Sequence, residues 1–102
     1  MFIYNVTTKV NKEIAEAWMR WQLEEHSTEI MATNLFEKFH VFKLHNDEED
    51  VDGITFIFQY YASQKTNYDL YIKNHAPFLR KKAIEKWGDA FISFRSLLER
   101  VQ

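Results

Sequence analysis

Apolar and polar residues alternate along several stretches of this chain, and a period of two is typical of a β-strand. Tyr4 and Val6, for example, fall on one side of such an alternation, and Asn5 falls on the other. The most strongly patterned stretch is also dense in β-branched and aromatic residues, which favour strands. The alternation predicts four strands, at residues 2–10, 35–45, 54–61 and 90–101.

The segment after the first strand repeats its apolar residues at helical spacing. Trp18 and Trp21 belong to an amphipathic stripe that predicts a helix to about residue 25. Ser27 or Thr28 can cap a short second helix that runs to about residue 33, because hydroxyl side chains are favoured at N-caps. Asn34 suits a left-handed residue that stops this helix.

A second helical segment lies between the third and fourth strands. Pro77 cannot lie inside an intact helix, so it marks a kink or the first turn of a new helix. Gly88 is predicted to end that helix. The resulting order, βαββαβ, predicts one α+β domain over residues 1–102 with a ferredoxin-like fold, a four-stranded antiparallel sheet with its helices on one face.

The alternation also divides the strand side chains between two faces. One face is almost wholly apolar and is expected beneath the helices: Tyr4, Val6, Val10, Leu35, Phe39, Val41, Ile54, Phe56, Phe58, Tyr60, Ile92, Phe94 and Leu98. The other face mixes bulky apolar residues with polar ones: Ile3, Asn5, Thr7, Phe36, His40, Phe42, Thr55, Ile57, Gln59, Tyr61, Phe91, Ser93, Arg95 and Leu97.

A water-facing antiparallel sheet is more uniformly polar than this second face. So many exposed aromatic residues would form a patch larger than a monomer usually carries. The sequence therefore predicts a homodimer in which two such faces pack together, with the polar residues of the face in a cavity between the sheets.

Composition narrows the function classes. The 102 residues carry a formal net charge of −2, whereas a nucleic-acid-binding domain usually has a basic excess. The absence of cysteine excludes disulfides, thiolate metal sites and cysteine nucleophiles. The first ten residues contain neither a signal-peptide pattern nor an apolar run long enough to span a membrane, so a cytoplasmic location is expected.

Six stretches run nearly from end to end of the chain, at residues 3–7, 18–21, 25–33, 59–61, 75–80 and 91–98. Together they resemble the dimeric α+β-barrel superfamily of ferredoxin-like domains, which includes antibiotic-biosynthesis and haem-degrading monooxygenases. Within that superfamily the chain is most similar to a small bacterial family of unknown function. The resemblance implies the fold and the homodimer, and it implies no activity.

Arg95 carries the most informative charge, because an enclosed arginine must be paired or must bind an anion. With Asn5 on the neighbouring strand, it could hold a carboxylate or enolate oxygen. The alternative is an interface salt bridge to Glu37 or Glu99. His40, Gln59 and Tyr61 are predicted to share this ligand-binding face or to form hydrogen bonds across the interface.

His26 and His75 are secondary candidates. His26 could act as a general base or as a haem ligand, and the structural alternative is a histidine that interacts with the end of the first helix. His75 could ligate haem iron, and the structural alternative is packing or capping beside Pro77. Neither cofactor nor metal is expected, because no motif supports one.

Two function classes remain open. The favoured one is a non-catalytic module that binds a small anionic or aromatic molecule or stabilises an assembly. The alternative is a cofactor-independent monooxygenase acting on an aromatic or quinone-like substrate in an apolar cavity.

Overall fold

A computed structural model describes residues 1–45 and 52–102. The acidic loop that the sequence predicts at residues 46–50 lies outside the described residues. The strands are β1 (Phe2–Asn11), β2 (Lys38–Lys43), β3 (Gly53–Ala62) and β4 (Phe91–Glu99). The α-helices are α1 (Ala15–Trp21), α2 (Ser27–Met31), α3 (Lys65–Asn74) and α4 (Ala76–Trp87).

The four strands form one sheet in the order β2-β3-β1-β4, and every neighbouring pair is antiparallel. The two long strands β1 and β3 lie at the centre, where Tyr4 pairs with Tyr60 and Val6 pairs with Phe58. The helices cover one face of this sheet. The predicted ferredoxin-like α+β fold is confirmed.

The first helical segment is one continuous run rather than two capped pieces. A 3₁₀ turn at Lys12–Ile14 leads into α1, and a π-helical turn at Gln22–His26 joins α1 to α2. Ser27 has helical dihedral angles and a buried side chain, so the prediction that it caps a second helix is wrong. Asn34 has a φ of 63°, which confirms it as the left-handed stop.

The second helical segment divides where proline requires it. Pro77 lies in the first turn of α4, where its missing N–H costs nothing, and His75 separates α3 from α4. Gly88 ends α4 with a φ of 60°, as predicted.

The predicted division of β4 between the two faces is reversed. Residues paired across neighbouring strands point to the same face, and Thr8 pairs with Ser93 while Val6 pairs with Arg95. Ser93 and Arg95 therefore lie on the helix-covered face, together with Phe91 and Leu97. The residues on the open face are Ile92, Phe94, Ser96 and Leu98.

Phe36 is also misplaced by the sequence pattern. The second strand begins only at Lys38, so alternation does not govern the residues that follow Asn34. The Phe36 side chain is buried in the core, where its ring lies 5.1 Å from the ring of Tyr71 and 6.2 Å from that of Tyr4.

The core between sheet and helices is largely aromatic. Tyr4 is at its centre and lies within 6.2 Å of four other rings, those of Phe36, Tyr60, Tyr68 and Tyr71. Farther along the sheet, Trp18 packs against Phe56 and Phe58. Such large rings supply much apolar burial for a short chain.

Candidate functional site

A cavity of about 40 Å³ lies between the helices and the covered face of the sheet. It has room for roughly three water molecules and is not large enough for a haem. Its walls are mostly aromatic, formed by Tyr4, Trp18, Phe58, Tyr60, Tyr71 and Phe91. Its polar lining consists of Thr8, Gln22, His26, Arg80, Ser93 and Arg95.

The π-helical turn positions the part of the cavity wall that comes from the first helical run. In a π turn the backbone N–H bonds to the carbonyl five residues earlier, as the N–H of Ser27 does with Gln22. Residues five apart therefore share a face, which brings Gln22 and Ser27 to the hydroxyl of Tyr60 and packs His26 against Trp21. The ring centroids of Trp21 and His26 are 4.9 Å apart.

His26 faces the cavity from the middle of a helical run. The interpretation of this residue as a histidine at a helix end is therefore wrong. Burial lowers the pKa of His26 from 6.5 to about 4, and the charges of Arg95 and Lys82 add to this effect while Glu29 opposes it. The imidazole is consequently neutral near pH 7.

Hydroxyl groups provide a second set of polar contacts. The Ser27 Oγ and the Tyr60 hydroxyl lie 2.8 Å apart, and the Thr8 Oγ1 and the Ser93 Oγ also lie 2.8 Å apart. Burial raises the pKa of the Tyr60 phenol and that of the Tyr71 phenol. Both phenols therefore stay protonated and can donate a hydrogen bond.

Arg80 and Arg95 give the cavity a positive charge. Arg80 Nη2 donates to the Tyr4 hydroxyl at 3.1 Å, and Arg80 Nε is buried without a hydrogen-bond partner. Both guanidinium groups act on Tyr71, since the charge of each one partly offsets the rise in the pKa of its phenol. No aspartate or glutamate lines the cavity in the part of the chain that the structure describes.

The open face of the sheet holds the other predicted site residues. Tyr61 OH donates to Gln59 Oε1 at 3.0 Å, Gln59 Nε2 donates to Asn5 Oδ1 at 3.1 Å, and Asn5 Nδ2 donates to Thr7 Oγ1 at 3.4 Å. We call these four residues the polar ladder. The ring centroid of His40 lies 5.2 Å from that of Tyr61, beside the ladder.

The structure thus divides the predicted site in two. It brings Asn5, His40, Gln59 and Tyr61 together on the open face. It places Arg95 on the opposite face, because Arg95 pairs with Val6 and the neighbouring Ser96 pairs with Asn5. The proposed pairing of Asn5 with Arg95 around one ligand oxygen is therefore wrong.

The candidate residues predicted from the sequence do not include Arg80, which lines the cavity. The available signal was helical spacing: Arg80 follows the buried Ala76 by four residues and precedes the buried Ala83 by three. Those intervals place Arg80 near the inner side of α4, while its neighbour Lys81 is exposed.

His75 lies outside the cavity lining. It holds the N-cap position of α4 without a side-chain hydrogen bond to the helix, and its ring stacks on Tyr71 at 6.2 Å. Residues 1–45 and 52–102 contain no cluster of three or more histidines and carboxylates that could hold a metal ion. Within the same residues, no helix has both the length and the apolar character that a membrane crossing requires.

A family model described as a domain of unknown function, DUF4286, matches residues 1–101. No curated protein matches the sequence.

Several solved structures share the fold at low sequence identity. An ethyl tert-butyl ether d (EthD) family protein from Bacillus halodurans has a TM-score of 0.67 and 11% identity, with 99% of this chain and 100% of that chain covered. A dimeric ferredoxin-like protein from an uncultured marine organism has a TM-score of 0.68 and 12% identity, with 99% and 95% covered. An antibiotic biosynthesis monooxygenase has a TM-score of 0.67 and 12% identity, and both chains are fully covered. At these identities the likeness concerns the fold alone.

Proposed function

Because this chain belongs to the DUF4286 family of domains of unknown function, we propose from its geometry that it is a non-catalytic homodimeric domain that binds a small molecule between its helices and its sheet. The observation that carries the proposal is the cavity lining, where aromatic walls surround polar groups that satisfy one another only in part. Arg80 Nε is the clearest case, since it is buried with no partner. A small ligand would supply the missing partners.

The open face of the sheet supports the homodimer. Phe94, Ile92, Phe42 and Leu98 are between 41% and 65% exposed, and the register places all four on this face. Two of the structural neighbours are described as dimeric ferredoxin-like proteins. Packing two such faces together would remove this apolar area from water.

The polar ladder makes that burial less costly. Its amide and hydroxyl groups already bond to one another along the sheet, so they do not enter the interface as unsatisfied groups. In this arrangement Asn5, His40, Gln59 and Tyr61 belong to the dimer interface, and the ligand lies on the other side of the sheet.

The proposal is tested by measuring mass and ligand binding on the same purified protein. Light scattering at micromolar concentration should give twice the chain mass. A thermal-shift screen of small aromatic and anionic compounds should give hits whose effect is lost in Ala83→Phe, which fills the cavity from α4. The matched control is Ile84→Phe, the exposed next residue on α4. A monomeric protein, or hits that survive Ala83→Phe, would contradict the proposal.

Cofactor-independent oxygenation is a second candidate, and the neutral His26 is the observation that favours it. An unprotonated imidazole in a mostly aromatic cavity can accept a hydrogen bond from the hydroxyl group of a bound phenol. That hydrogen bond makes the ring more electron-rich, so the bound phenol could react with oxygen directly. Oxygen uptake with hydroquinone-type compounds, fully lost in His26→Phe, would support this function. Equal uptake in both proteins would exclude it.

A further inference from the structure

The two arginines of the cavity indicate what kind of ligand it takes. We propose that Arg80 and Arg95 together bind the carboxylate group of a small organic acid, whose remaining atoms lie against the aromatic walls. This inference rests on the proposed function, since it assigns a chemical class to the ligand of the same cavity.

Arg80 and Arg95 line the same cavity from different elements of the fold. Arg80 reaches across from α4 to the hydroxyl of Tyr4, and Arg95 lies on β4 opposite Val6. Tyr4 and Val6 are successive residues on the same face of β1, so their backbones are separated by about 7 Å. Both arginines also influence the phenol of Tyr71, which lines the same cavity.

The positive charge of the cavity is not balanced by a carboxylate in its lining. In the described residues, neither arginine lies within ion-pair distance of a carboxylate. The Glu29 carboxylate, whose charge acts on His26, is paired with Lys82 at 2.7 Å. His26 is neutral and contributes no charge of either sign. Two neighbouring cations without a counterion repel each other, and an anion between them would remove that repulsion.

The shape and the hydrogen-bond donors of the site suit a carboxylate. Arginine presents its N–H groups in a planar fork that matches a carboxylate, and Arg80 Nε is a buried donor that lacks an acceptor. The space of about 40 Å³ takes the carboxylate group, and the rest of a longer acid would extend from it along the aromatic walls towards the exposed Arg95. Trp18, Phe58 and Phe91 provide flat apolar walls beside it, which suit an unsaturated or aromatic acid.

Arg95 lies on the solvent-exposed side of the proposed anion site. It is exposed, whereas Arg80 is only partly exposed and is held by Tyr4. Replacing Arg95 therefore changes the anion site with little disturbance of the core, which makes Arg95→Met the most informative variant. Arg20→Met is the matched control, because Arg20 is exposed on α1 and lies outside the cavity.

The test is calorimetric titration of the purified protein with benzoate and with benzamide, which has the same shape and no charge. Acetate and acetamide form a second, smaller pair. We expect each acid to bind at least tenfold more tightly than its amide. Arg95→Met should weaken benzoate binding roughly tenfold to a hundredfold, as expected for the loss of a charge-assisted hydrogen bond. Arg95→Met should change the affinity for benzamide by less than twofold, and Arg20→Met should change the affinity for neither compound.

Three outcomes would overturn the inference, and they differ in what they leave standing. If benzamide binds as well as benzoate, or if Arg95→Met has no effect, the cavity binds ligands but does not select a carboxylate. If inorganic phosphate competes more strongly than either acid, the site is an anion site of another class. If no acid or amide binds and the thermal-shift screen also finds no ligand, the proposed function fails as well.

Discussion

The neutral state of His26 predicts a specific loss of stability in mild acid. The ordinary pKa of histidine is 6.5, and burial in the folded protein lowers the pKa of His26 to about 4. Between these two values the unfolded chain binds a proton that the folded protein does not bind. The stability contributed by the neutral side chain is therefore complete above about pH 6.5, falls as the pH is lowered towards 4, and falls no further below that.

The size of the effect follows from the difference in pKa. One unit corresponds to about 1.4 kcal/mol, so the shift of His26 amounts to about 3 kcal/mol when it is fully expressed. At pH 5 most of this has been lost, about 2 kcal/mol. That is a large fraction of the stability of a domain of this size.

The assay is urea denaturation at pH 7.5 and pH 5.0, at one fixed protein concentration because a dimer is stabilised by mass action. The comparison protein is His26→Phe, which keeps a ring against Trp21 and does not titrate. Carboxylates contribute to the acid sensitivity of both proteins, so their contribution cancels in the difference. The wild-type protein should lose about 2 kcal/mol more than His26→Phe between the two pH values. Equal losses would refute a neutral, buried His26.

Three further predictions concern the interface, the helix end and the buried hydroxyl pair. Ile57→Asp should weaken the dimer at least tenfold in sedimentation experiments, because it buries an unpaired charge on the open face. Ile84→Asp, on the outer side of α4, should not weaken it, and equal effects of the two variants would place the interface elsewhere. Gly88→Ala should lower the unfolding free energy by about 1–3 kcal/mol, because a residue with a side chain is strained at a φ of 60° even where no atom lies near the added Cβ. An unchanged melting curve would contradict that strain. Ser27→Ala should lower the unfolding free energy by about 1–2 kcal/mol, because it removes the partner of the Tyr60 hydroxyl. Thr28→Ala should have little effect because the Thr28 hydroxyl is exposed, and similar losses in the two variants would show that the buried pair adds no stability.

The fold was predictable because its strands and α-helices have local signals. Period-two alternation marked the two central strands, and Pro77, Gly88 and Asn34 marked helix boundaries through the dihedral angles they favour. These signals depend on only a few neighbouring residues, so they do not depend on contacts with distant parts of the chain.

The candidate site was less predictable because it depends on contacts between distant segments. The fourth strand carries bulky apolar residues on both faces, such as Phe91 and Phe94, so its pattern does not reveal which face is covered. The larger apolar set was assigned to the core, and it lies instead on the open face, where Phe94 is 65% exposed. Only the register with β1 decides where Arg95 points.

The π-helical turn has no signal of this kind. Gln22 and His26 would also share a face in an ordinary α-helix, so their spacing does not distinguish the two. The turn becomes visible through Ser27, which a strong N-cap preference assigned to a helix start. Its side chain is instead turned inward to the Tyr60 hydroxyl on β3.

The measurement that tests the account most directly is an NMR titration of the ¹⁵N-labelled protein with a ligand found by the screen. The account predicts that backbone and indole signals of the cavity wall will shift, including those of Trp18, His26 and Arg95, while those of the polar ladder on the open face stay in place. Shifts confined to Asn5, Gln59 and Tyr61 would put the ligand on the other side of the sheet and contradict the account.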